Sequence, residues 1–303
     1  MKSIYSIFLL LLIFLVTETV DAQYQFNWRR YRKELVGGIV ASNFLGDLGG
    51  ADGVGTNGLR DLNWPATRPG GSFGYRYRTG RTHAIKGMLH IAYLSGDDKR
   101  TEEPFRNNRN LNFRTPIIEL SGQFEWILTR QREGHRYNLK GVQGWRHISF
   151  ESYLFVGVGV MWFNPQGRDM DDNWVNLKPL NTEGQGLVPT RKPYHRVQPV
   201  IPAGLGLKYA VNPQWSVGIE YGFRKTFTDY IDDCSSTYFD KEAIREAYGD
   251  VAAYFSDPSL GKIPGQTGPN LQRGDPTDND FYMFGEITVY YKLQGRGGSI
   301  PKF

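Results

Sequence analysis

The chain has one cysteine, Cys234, in 303 residues. A lone cysteine makes no internal disulfide, so the fold is not a disulfide scaffold, and an unpaired loop thiol is the simpler reading over an intermolecular bond. Past the N-terminus, no stretch approaches the about 20 consecutive apolar residues of a spanning helix, which excludes a helical membrane bundle. The mean hydropathy of −0.47 agrees. Chemistry is scarce as well. The five histidines, His83, His90, His135, His147 and His195, fall in no HExxH or other metal spacing, and no serine lies in a nucleophile elbow. No glycine-rich stretch follows a strand and opens a helix, so the 36 glycines do not mark a nucleotide site. No catalytic, metal or cofactor residue is therefore expected, nor a nucleic-acid or small-molecule partner.

What is present is aromatic and alternating: 18 Tyr, 18 Phe and 7 Trp. The clearest stretch, residues 199–227, reads as two strands joined by a turn at Asn212-Pro213-Gln214. Its second strand places Trp215, Val217, Ile219, Tyr221 and Phe223 on one face and Ser216, Gly218, Glu220, Gly222 and Arg224 on the other. Ile201, Ala203, Leu205, Leu207 and Tyr209 form the matching apolar face of the first strand. Period two with one apolar face and one charged, glycine-rich face is the pattern of a barrel wall between lipid and lumen.

The same alternation recurs over 34–44, 71–78, 82–94, a segment around 118–126, 149–163 and 280–293. With the two strands of the hairpin, these make eight. The fold class expected is all-β: a closed eight-stranded antiparallel transmembrane β-barrel with long extracellular loops. Turning the polar faces inward gives lumen candidates Arg76, Arg78, Lys86, His90, Lys208, Arg224 and Lys292, against Glu119, Glu125, Glu151, Glu220 and Glu286. An eight-stranded interior is just wide enough to be filled by side chains, so the set is read as an ion-pair network that plugs the barrel. His90 with Glu119 could supply part of an acid–base constellation, but a lumen histidine paired with glutamate is more often structural.

The chain opens with Met-Lys, an apolar core over 7–16 and small residues at Val20 and Ala22, which reads as a signal peptide over 1–22 cleaved before Gln23. A periplasmic segment at 23–33, the barrel at 34–293 and a periplasmic tail at 294–303 are expected to follow. Loops alternate short and long, which puts both termini in the periplasm of an outer-membrane protein. The connection over 129–147 is long on the otherwise short side. A helix over 241–248, capped by Asp240 and ended by Gly249, is expected in the longest outer loop, 228–279. Acids are nearly absent from the periplasmic segments: Arg29, Arg30, Arg32, Lys33, Arg130, Arg132, Arg136, Lys140 and Arg146, with Arg296 and Lys302, face only Glu133. Such a rim is a solvated edge, a contact for lipid phosphates, or a docking face for an acidic periplasmic partner.

The segment GGIVASNFLGDLGG at 37–50, the eight-strand layout and the terminal Ile300-Pro301-Lys302-Phe303 resemble the PorG-like outer-membrane β-barrels of the Bacteroidetes type IX secretion system. The resemblance implies a non-enzymatic barrel associated with the periplasmic ring of the PorK lipoprotein and PorN, in a machine exporting proteins with a C-terminal signal. It carries over no catalytic residues. The basic rim as ring-facing surface comes from this chain's charge map. An outer-membrane lipid-modifying enzyme or a small adhesin-type barrel are the alternatives.

Overall fold

The computed structural model describes residues 31–48, 64–129, 150–212 and 214–293. Ten strands run in chain order: β1 Lys33–Leu45, β2 Arg68–Arg78, β3 His83–Asp97, β4 Asn112–Ile127, β5 Phe150–Phe163, β6 Gln166–Arg168, β7 Trp174–Asn176, β8 Val197–Ala210, β9 Trp215–Thr226 and β10 Phe281–Leu293. Eight of them pair antiparallel in the cycle β1-β2-β3-β4-β5-β8-β9-β10, and β10 returns to β1. The barrel is closed, so no sheet edge is left unpaired. Its seam joins the chain's first and last strands in one unbroken register, from Lys33 opposite Leu293 to Leu45 opposite Phe281.

Alternation decides which way each side chain faces. Ile39, Phe73, Leu120, Val158, Ile219 and Ile287 lie outside, and Val158 and Ile39 are 71% exposed. So wide an apolar band is unstable against water and fits a lipid surface. Aromatics gather at the end where β1 begins and β10 ends, with Phe150 against Tyr209 at 5.7 Å and Trp215 against Tyr291 at 4.8 Å between ring centres. Met283 shares the outward face but is buried, because Tyr221 covers it and directs its hydroxyl to the Met283 sulfur at 2.9 Å.

The strands extend beyond the spans read from sequence. β3 runs to Asp97 rather than 94, β2 begins at Arg68 rather than 71, and the last strand opens at Phe281, with Asp280 in the preceding loop. The lumen also holds aromatics that were not singled out from the sequence, on the same parity as Glu151 and Glu286. Tyr153, Phe155, Tyr282, Phe284 and Tyr290 all point inward. Glycines make room for them. A Cβ on Gly206 would sit 2.2 Å from the Tyr153 ring, and one on Gly204 or Gly222 2.7 Å from that of Phe155.

The described parts of the β1–β2, β3–β4, β5–β8 and β9–β10 connections meet at one end and fold into a cap. They carry the β6–β7 hairpin and helices α1 (Pro104–Arg109), α2 (Lys241–Tyr248) and α3 (Asp250–Ser256). The Asp240 side chain accepts from Glu242 N, and α2 stops at Gly249, whose φ of 89° suits glycine. A continuous apolar cluster joins barrel to cap: Phe44, Phe113, Phe163, Tyr282 and Phe284 pack with Leu48, Leu111, Tyr194, Ile231 and Cys234. Loops expected to be long, with one helix over 241–248, thus bury a core of their own.

Candidate functional site

The lumen brings many charged side chains together, most of them paired. Inward positions near the terminal end of the strands bring Arg76 to the centre of a cluster. Its Nη1 meets Glu34 at 2.9 Å, Nε meets Glu125 at 2.6 Å and Nη2 meets Glu151 at 2.8 Å. Arg78 reaches the other Glu151 oxygen at 2.9 Å, and Lys208 reaches Glu34 at 2.6 Å. Lys86 bridges Glu125 and Glu220. Tyr290 donates to Glu220 at 3.3 Å and stands 2.9 Å from the Tyr153 hydroxyl, while Lys208 lies over the Tyr290 ring at 4.4 Å. Every charged member is nearly inaccessible to water. Glu34 was not among the residues singled out from sequence. The Gly37-Gly38 pair blurs the alternation of β1, and the signal that could have found it is the parity of Val36 and Val40, which are also buried.

A second cluster sits nearer the cap. His90 Nε2 lies 2.9 Å from Glu286 and Nδ1 lies 3.4 Å from Glu119. Arg224 approaches the same two glutamates at 3.4 and 3.5 Å, Tyr282 donates to Glu119 at 2.7 Å, and Ser72 donates to Glu286 at 3.0 Å. Both imidazole nitrogens face carboxylates, and the Ser72 hydroxyl is turned to Glu286, so His90 has no nucleophile to activate here. Lys292, also buried, stands 5.8 Å from the Tyr31 ring. The interior is filled by paired charges and aromatic rings.

The cap has a different polar interior. Arg109 grips Asp98 with two bonds of 2.8 and 3.0 Å and donates to the carbonyls of Asp47 and Arg273, both at 2.7 Å. Arg273 binds Glu183 at 2.9 Å and the Asp233 carbonyl at 2.6 Å, and Glu183 also accepts from Ser235 N and the Ser236 hydroxyl. Two guanidiniums thereby tie loops from four connections together. Around them lie carboxylates held by neutral donors. Asp233 accepts from Thr182 and Tyr194, Asp232 from the amides of Leu48 and Cys234, and Asp280 from Ile231 N. Burial outweighs these donors. It lifts Asp47 and Asp233 to about 6 and Asp229 to about 9, and holds Asp232 and Asp280 well above the carboxylate range. Cys234 is fully buried, and burial pushes its thiol well up. It is a packing residue, not an accessible loop thiol.

Of the basic rim, Arg29, Arg30, Arg130, Arg132, Arg136, Lys140 and Arg146 lie outside the described residues, as do the signal segment and the tail. Lys33 opens β1 on its exposed side, and Arg32 directs Nη1 to the Tyr77 hydroxyl at 3.4 Å.

No protein-family model matches the chain, and no curated protein matches it. Solved structures similar to it are small outer-membrane barrels. Ail, the attachment invasion locus protein of Yersinia pestis in complex with the heparin analogue sucrose octasulfate, is 8% identical, with a TM-score of 0.38 over 87% of this chain and 99% of Ail. Neisserial surface protein A is 8% identical, with a TM-score of 0.36 over 86% and 97%. OprG of Pseudomonas aeruginosa is 10% identical, with a TM-score of 0.34 over 88% and 98%. At those scores the assignment of this chain rests on its own register and surface: a closed eight-stranded antiparallel barrel with a lipid-facing apolar belt and a plug of ion pairs.

Proposed function

We propose that the protein is a non-enzymatic outer-membrane barrel that anchors a periplasmic ring of the type IX secretion machinery, the PorK/PorN ring implied by the resemblance. The observation that supports this reading best is the lumen. Among the described residues the closed wall is lined by Arg76, Arg224 and glutamates already paired with them, which supports placing the protein's work at the ends of the barrel. In this reading the cap faces outward, both termini are periplasmic, and the basic segments 23–33 and 129–148 meet an acidic partner. Pull-down of the detergent-solubilised protein followed by mass spectrometry should recover ring proteins. Charge reversal at Arg130, Arg132 and Arg136 should cut that recovery and secretion while barrel assembly persists, and recovery from the native protein should fall with salt. Unchanged recovery after the triple reversal would remove the rim from the proposal.

A lipid-modifying enzyme is the second reading, favoured only by the approach of His90 to Glu119 at 3.4 Å. Loss of an acyl-transfer or deacylation activity in His90→Ala, with the barrel intact, would establish it.

A further inference from the structure

Just above the apolar belt, on the outside of the wall, two guanidiniums are fixed without a carboxylate. Arg114 lies on the same outward face of β4 as Ile118 and Leu120, four residues from Ile118 and so roughly 14 Å further along the strand toward the cap. Its Nε donates to Gln166 Oε1 at 2.8 Å, and its guanidinium carbon lies 4.2 Å from the centre of the Trp174 ring. Arg196, directly before β8, has its guanidinium 5.9 Å from the ring of Trp162, an outward residue of β5, and donates to Asn164 Oδ1 at 3.0 Å. The two are joined by amides. Asn164 Nδ2 and Gln166 Nε2 both donate to Asn176 Oδ1, at 2.8 and 3.0 Å.

The neighbouring acids are engaged elsewhere. Arg168 also stands against Trp174, at 5.0 Å, but it pairs with Asp172 at 3.4 Å. Asp169 accepts the amides of Asp171 and Asn173 within its own turn. Among the described residues no carboxylate lies within 4 Å of Arg114 or Arg196.

A guanidinium that spends one N–H on an amide keeps the rest of its planar fork, which matches phosphate oxygens bidentately. Contact with an indole, close for Arg114 and looser for Arg196, restrains the fork before any ligand arrives. Long basic side chains that merely snorkel from a lipid surface need neither the relay nor the rings. The depth matches headgroups: apolar belt below, indoles at the boundary, unpaired cations above. We propose that Arg114 and Arg196, with Trp174 and Trp162, form a binding site for the phosphate of a membrane lipid headgroup at the cap-side edge of the belt. The site depends on the belt facing lipid. It does not depend on which leaflet the cap side meets or on the secretion role.

The test uses the full mature chain in a phosphate-free maltoside detergent, with native mass spectrometry counting bound lipid. The probes are phosphatidic acid and its uncharged diacylglycerol counterpart. The native protein should retain phosphatidic acid at least about tenfold better than diacylglycerol, and Arg114→Gln with Arg196→Gln should erase that preference. Arg114→Lys with Arg196→Lys should keep only part of it, because an ammonium lacks the fork. If the glutamine pair does not assemble, Asn164→Ala with Gln166→Ala leaves both charges and removes the relay, and should still weaken retention severalfold. Lys99→Gln, an exposed cation elsewhere on the cap, should change nothing. Equal retention of the two lipids, an unchanged preference in the assembled double variant, or an equal loss in Lys99→Gln would overturn the proposal. Full displacement of phosphatidic acid by millimolar inorganic phosphate would reassign the pair to a soluble anion.

Discussion

In the lower lumen, Glu34, Glu125, Glu151 and Glu220 meet Arg76, Arg78, Lys86 and Lys208, one base for each acid. In the cap, Asp98 takes Arg109 and Glu183 takes Arg273, and Asp47, Asp229, Asp232, Asp233 and Asp280 remain among amides and hydroxyls. Both interiors are polar and largely buried. In the first every acid has a base; in the second two guanidiniums serve only two of the carboxylates and the others sit among neutral donors, so the two should respond differently to the loss of a base and to protons.

The largest break should come at Arg76. Arg76→Met leaves three buried glutamates without their shared partner, a loss on the order of 3–5 kcal/mol in a dry site. The midpoint of heat-modifiable gel migration should fall accordingly, and Arg76→Lys should recover only part because an ammonium cannot fork to three carboxylates. An unchanged midpoint would show that the lumen pairs are not what holds the wall. Arg273→Met should act on the cap instead, weakening it by about 2–3 kcal/mol through lost charged hydrogen bonds while barrel migration stays constant. Faster protease cleavage within 257–279 reports it, and a parallel drop in barrel stability would merge the two regions into one cooperative unit.

Protons sharpen the contrast. A carboxyl whose folded pKa lies above its unfolded value favours the folded cap while protonated. That contribution is complete below about 4. It is lost as pH rises through about 6 for Asp47 and Asp233, and toward about 9 for Asp229. Hydrogen-exchange protection of the 228–280 loop should therefore decline from pH 5 to pH 9, and Asp229→Asn should flatten the upper part of that slope. Protection that rises with pH would mean that the cap carboxylates are ion-paired after all. The smallest effect is expected at Cys234, whose thiol directs its proton to the Arg273 carbonyl at 3.2 Å. Cys234→Ala should cost about 1 kcal/mol and leave the pH slope intact, and the native thiol should resist alkylation until the cap opens.

The barrel was legible because lipid and lumen impose opposite demands on successive residues, and β9 obeys them without exception from Trp215 to Arg224. The charged lining could be read from the same parity. Tyr153, Phe155 and Tyr290 share that parity with Glu151 and Glu286, but the room for such rings in a narrow lumen comes from glycines across the sheet, Gly206 opposite Tyr153 and Gly204 opposite Phe155, and that match shows only in the register. The cap left no periodic trace. Leu48, Leu111, Tyr194 and Ile231 come from four separate connections, and only their meeting in space makes them a core. Of the cap's regular pieces, α2, with Asp240 before it and Gly249 after it, was the one that could be read; α1, α3 and the β6–β7 hairpin are shorter.

The seam between β1 and β10 bears on time rather than stability. Lys33 and Leu293 are partners in the finished sheet, yet almost the whole chain separates them. Every other wall pairing joins strands adjacent in the barrel's chain order and can form within a hairpin or its extended relative. The seam and the β9–β10 pair both wait until the last strand has left the synthesis and export machinery, and the seam must in addition bring that strand back to the first one. A contact of such sequence separation is the slow step that topology predicts. Until it closes, two bare edges of hydrogen-bonding groups stand open to whatever strand the assembly apparatus or a neighbouring chain presents. Truncation within 281–293 should therefore yield a chain that aggregates or is degraded, not a seven-stranded barrel.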